Sequence, residues 1–116
     1  MTYAIAVQGN RIPQIEPTDP LYIRPLDNPG ISLVSNAFNG ENFDNWKRSV
    51  IIALSAKHKL ALIDGHCTNL GSTSPLFTFW QRHNAMVLSW LLNSLTENIR
   101  NNVLYFETAR ELWQDL

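Results

Sequence analysis

Proline and glycine divide this chain before any other residue type is consulted. Five of the six prolines (Pro13, Pro17, Pro20, Pro25 and Pro29) fall before residue 30, and from Leu76 to Leu116 there is neither Pro nor Gly. Proline fixes φ and removes an N–H donor, so the first stretch cannot be the interior of a helix or a sheet. The second stretch carries no breaker and is free to be helix. The expected organisation is an extended Pro-rich arm over residues 1–30 and an all-α domain over residues 31–116, a small bundle of about four helices. In "DNPG", Asp27 to Gly30, Pro29 and Gly30 sit where a type II turn places them, and "ISLVS" after it reads as a short strand-like segment.

Hydrophobic periodicity places the helices. Phe43, Trp46, Val50, Ala53, Leu54 and Lys57 recur at steps of three and four, which stacks them on one helical face. Asn42 is the expected N-cap, with Glu41 and Asp44 near the positive end of the dipole. "KLALIDG", from Lys59, adds a short turn of helix that Gly65 ends. After the polar loop 65–74, Ser74 and Pro75 are a cap and a first-turn proline. The helix after them carries Phe77, Trp80, Val87, Leu88, Trp90, Leu91, Leu92 and Leu95, a stripe broad enough for a helix covered on more than one side. Arg82, His83, Asn84, Asn93 and Ser94 are its expected wetter positions. Thr96 and Glu97 restart the pattern, with Ile99, Val103 and Phe106 opposite Arg100, Asn101 and Asn102. Thr108 and Glu111 form a capping box for a last helix whose Ala109, Leu112, Trp113 and Leu116 face the core.

Chemistry is sparse. His58, His66, Cys67 and His83 lack the paired spacing of a zinc site. Ser49, Ser55, Ser89 and Cys67 lie in no nucleophile signature, and no phosphate-cradling glycine loop occurs. No enzyme, metal or cofactor is expected. The formal charge of −1 gives no global attraction to a polyanion. A local basic stripe of Lys47, Arg48, Lys57 and Lys59 remains, read first as a solvated helix face and second as an RNA contact. A single cysteine, no glycosylation acceptor, no leader-like start and no long apolar run lead to the expectation of an intracellular, cytoplasmic protein with no membrane partner.

Several stretches together resemble a known family. "DPLYIRPLDNPGISLVSNAFNGENFDNWKRSVIIALSAKHKLALIDG" and "WQRHNAMVLSWLLNSLTENIRNNVLYFETARELWQDL" resemble, in order, the motifs of the N-terminal domain of Gag polyproteins from plant copia-type LTR retrotransposons. The matching positions include Asp27, Asn28, Pro29, Gly30, Gly40, Asn42, Phe43, Trp46, Leu54, Lys59, Leu60, Asp64, Gly65, Trp80, Trp90, Leu95, Leu112 and Trp113. The resemblance implies a structural module whose partner is itself, packing toward a capsid-like particle, with element RNA held by downstream regions. It also implies that Leu116 cuts a longer Gag. Trp46, Trp80, Trp90 and Trp113 are expected as anchors of the fold. The alternatives are a domesticated or relic piece acting as a protein-binding adaptor, and RNA binding through Lys47 to Lys59.

Overall fold

The computed structural model describes residues 15–16, 19–24, 27–67, 71 and 73–116. Most of the arm, with Pro13, Pro17 and Pro25, lies outside the described residues. Five helices are present among those described: α1 (Phe43–Ala56), α2 (Ala61–Asp64), α3 (Phe77–Asn93), α4 (Glu97–Val103) and α5 (Ala109–Asp115). The fold is all-α, with α2 as the short turn that Lys59 to Gly65 announces. No strand forms among the described residues; one isolated parallel bridge joins Phe38 to Leu95. The pairing thus falls at Phe38 and not within Ile31–Ser35.

Helix α3 is central, as its broad apolar stripe requires. Trp80, Met86, Val87, Trp90 and Leu91 are buried along it, and α2 and α5 pack against it and against each other. Three positions expected to be wet are buried instead: His83, Asn84 and Ser94. For two of them a hydrogen bond gives the reason. Ser94 donates its hydroxyl to the Trp90 carbonyl at 2.7 Å. Asn84 donates to the Glu107 carbonyl at 2.8 Å and accepts the Ala109 N–H at 2.9 Å, so it stitches α3 to the start of α5. A buried amide bonded at both ends does not carry the desolvation penalty of an orphan.

The helix ends partly depart from the expected caps. Asn42 takes the N-cap position of α1 in a left-handed conformation (φ 55°) and makes no side-chain cap bond. The first turn is entered instead through Asn39, whose side-chain oxygen accepts the Glu41 N–H. Helix α3 begins at Phe77, three residues after Ser74, although Ser74 still accepts the Leu76 N–H on its hydroxyl and the Phe77 N–H on its carbonyl. Gly30 does not adopt the positive φ of a type II turn; that turn is closed by Ile31 N–H to the Asn28 carbonyl at 3.2 Å, with the Asn28 side chain accepting the Gly30 N–H. At α5 the capping residue is the expected one: the Thr108 hydroxyl accepts the Glu111 N–H at 3.1 Å and donates to the Glu111 carboxylate at 2.8 Å.

The C-terminus of α1 closes in a tight reversal. Lys59 N–H reaches the Leu54 carbonyl at 2.8 Å and His58 N–H reaches that of Ser55 at 3.1 Å, the two bonds of a Schellman motif. The residue that turns the chain is His58 at φ 57°, where glycine is the usual occupant.

Candidate functional site

Directly after that turn the chain delivers Lys59 inward. Its ammonium is fully buried and donates to the carbonyls of Pro20 at 2.9 Å and Tyr22 at 2.6 Å. The Asp27 carboxylate, itself 2% exposed, lies 3.5 Å from the same nitrogen. Asp27 is set by its own loop: Arg24 N–H donates to the carboxylate at 2.9 Å while Asp27 N–H returns to the Arg24 carbonyl. Burial pulls the Lys59 ammonium below its ordinary range, and the facing Asp27 works the other way. An ammonium has three protons to place, and here two carbonyls and a carboxylate receive them.

The same segment is caught a second time on α3. The Trp90 indole N–H donates to the Asn28 carbonyl at 2.7 Å, and Ser89 and Asn93 both donate to that of Pro29 at 3.3 Å. Leu21 is 1% exposed and belongs to the core. Residues 19–24 and 27–30 are therefore a strap tied across the helices, whereas the proline pattern alone suggested only an extended arm. Lys59 is withdrawn from the expected basic stripe, because its charge is spent inside the protein. Lys57 lies 5.2 Å from the centre of the Trp90 ring, and Lys47 sits within 6 Å of both Phe43 and Trp113. Arg48 is exposed on α1.

Two turns before Trp90 on the same face of α3 lies His83. Its Nδ1 is 2.8 Å from the Phe79 carbonyl, which makes Nδ1 the protonated nitrogen and Nε2 the acceptor. Nε2 is buried and meets no hydrogen-bonding partner among the described residues. Burial holds the imidazole below its usual range; the Phe79 bond opposes this and the Lys59 charge adds to it.

A second feature lies on the other side of Trp46. A groove of about 1140 Å³ runs between the 32–39 segment and α1, floored by Leu33, Phe38, Trp46 and Ala53 and edged by Ile52. Phe38 stacks on Trp46 at 5.2 Å, and Phe43 and Trp113 continue the aromatic group at 6.1 and 5.9 Å from Trp46. The Trp46 indole donates to the Ser94 carbonyl, which also receives Phe38 N–H, so one carbonyl joins groove wall, α1 and the end of α3. The rest of the lining is hydroxyls and amides, Asn36, Asn45 and Ser49 among them, with Glu41 as its one ionisable residue. That is a surface for neutral chains; it lacks the paired acids and bases of a hydrolytic site and the cations of a phosphate site.

The motif positions separate by burial. Trp46, Leu54, Lys59, Trp80, Trp90, Leu95 and Leu112 are buried; Phe43, Leu60 and Trp113 are half-buried; Asn28, Pro29, Gly30, Gly40, Asn42 and Asp64 are exposed. Gly65 ends α2 at φ 96°, and a Cβ there would run into the Arg110 guanidinium. Among the described residues, no three His, Cys, Asp or Glu side chains are grouped to hold a metal ion, and no helix is long and apolar enough to cross a membrane. His83, which sequence reasoning placed on a wet flank, is the functional candidate it missed.

Residues 24–69 match the family model described as the Gag polypeptide of LTR copia-type elements. No curated protein and no solved structure matches the chain. The part of the resemblance from Trp80 onward lies outside the matched residues. The loop that carries Asp27, the helix that delivers Lys59 and the Gly65 stop fall within them, and over that stretch the chain is similar to the copia-type Gag family.

Proposed function

We propose that this chain is a non-enzymatic structural module that self-associates, the kind of role a copia-type Gag segment serves in building a particle. The family match supports a retrotransposon Gag-related structural role. The observation that carries self-association is the distribution of exposed large apolar side chains among the described residues: Ile52 at the groove edge, and Leu104 and Tyr105 at the corner between α4 and α5. A groove with Glu41 as its one ionisable residue, beside Ile52, and an apolar corner elsewhere on the same chain suit a contact in which the corner of one copy enters the groove of another.

Sedimentation velocity across a hundredfold concentration range tests this. Growth of large species, abolished by Ile52→Glu or Tyr105→Ser in chains that keep their helicity, is the expected result. A parent chain that stays monomeric throughout would overturn self-association and leave the groove to a different protein, the adaptor reading. RNA binding draws little support from the geometry, since Lys59 is buried and Lys47 and Lys57 lie over aromatic rings. Salt-sensitive RNA binding lost on neutralising Lys47 and Arg48 would revive it.

A further inference from the structure

We propose that His83 is an acid-operated release for the strap of residues 19–24 and 27–30. The strap's hold on the helices converges on a small polar pocket. Lys59 in its wall binds the strap through the Pro20 and Tyr22 carbonyls and the Asp27 carboxylate. His83 lies two turns before Trp90 on the same face of α3, the face that donates to the strap's Asn28 carbonyl, and it is fully buried with Nε2 lacking a partner among the described residues. The charged groups that bear on the pocket are Lys59 and Lys57 from the end of α1, and Arg24 and Asp27 from the strap. Of these, Lys59 opposes a charge on His83 and Asp27 favours it, while Arg24 and Lys57 oppose the charge on Lys59.

A proton arriving at Nε2 adds a second cation beside Lys59 in a place closed to bulk solvent. The nitrogen then becomes a donor. The Tyr22 carbonyl favours the charged ring, but it is already engaged by the Lys59 ammonium at 2.6 Å, so what it offers comes with cation–cation repulsion. Lifting the strap relieves this, because it opens both His83 and Lys59 to solvent. The rest of the bundle is held by other means, α5 through Asn84 and α1 through Trp46, and can persist without it.

Linkage gives the sign. With the strap closed, the imidazole is held below its ordinary value of 6.5; with the strap open it titrates normally. The open state therefore binds more protons between the two values. The closed state is fully favoured above pH 6.5, and each unit of pH below that weakens it by up to about tenfold until the closed-state value is passed.

The test is hydrogen exchange of the strap amides and Trp90 fluorescence on the full chain from pH 7.5 to pH 5, corrected for intrinsic exchange, with far-UV circular dichroism alongside. Strap protection is expected to fall by about tenfold per pH unit below 6.5 while helicity is kept. In H83Q, which cannot titrate, the fall should disappear. The exposed His58 and His66 remain in that variant and serve as internal controls. Equal behaviour of H83Q and the parent chain would overturn the proposal, as would loss of helices over the same range as the strap. Should H83Q fail to fold, the imidazole proton resonances of the unaltered chain decide: His83 should titrate together with strap opening, and titration near pH 6.5 with the strap still protected would refute the release.

Discussion

The strap pocket and the groove handle polar atoms in opposite ways. In the pocket, charge is buried and bonded: Lys59 and Asp27 lie almost wholly out of solvent and the Lys59 ammonium finds three acceptors. In the groove, polar atoms are mostly neutral, on hydroxyls and amides, with Ile52 half exposed at the edge. A buried charge that lost one acceptor would be expensive, so the pocket specifies one arrangement of the chain. A neutral open groove loses little when its surroundings change. The first feature is suited to holding a fold, the second to meeting another surface.

That contrast predicts a steep order of mutational effects. Lys59→Ala should cost the most, about 3–5 kcal/mol by urea unfolding, because it leaves the Asp27 carboxylate buried without its cation. Joint replacement, Lys59→Met with Asp27→Leu, should recover much of that loss; no recovery would mean that the two carbonyl bonds, not the ion pair, dominate. Trp90→Phe keeps an aromatic ring in the core but removes the indole bond to the Asn28 carbonyl, which keeps the Ile31 N–H, and should cost about 0.5–1.5 kcal/mol while loosening strap amides in hydrogen exchange. Thr108→Ala removes a cap from α5 and should cost about 1 kcal/mol in the same unfolding assay. His58→Gly relieves the left-handed turn and should stabilise by about 0.5 kcal/mol. At the groove, Ile52→Glu should move stability by less than about 0.5 kcal/mol while changing association. A large stability loss at Ile52 would erase the distinction between the two regions.

Much of the helical layout was legible because it is local. The spacing of Phe43, Trp46 and Val50, the Thr108 and Glu111 pair, and the broad stripe through Trp80 and Trp90 all act within a few turns of chain, and each marks a helix that is present. The caps at Asn42 and Ser74 were less legible, since several residues compete to satisfy the first N–H groups. Leu112 and Trp113 were readable as facing inward, but only packing makes the first fully buried and the second half-buried against Trp46.

The pocket was not legible at all. A lysine just past a helix end and a histidine between Arg82 and Asn84 both read as solvated, and nothing adjacent to either says otherwise. Lys59 is buried because the carbonyls of residues 20 and 22 arrive from 39 and 37 positions away, and His83 is buried on the face of α3 that carries Trp90. The amino-acid sequence by itself determined where helices start, stop and show an apolar face, since periodicity, breakers and hydroxyl caps work through neighbours in the chain. Which polar groups are buried, and which apolar ones remain at the surface, was decided by the tertiary structure alone. Burial depends on what comes from elsewhere in the chain to cover a residue.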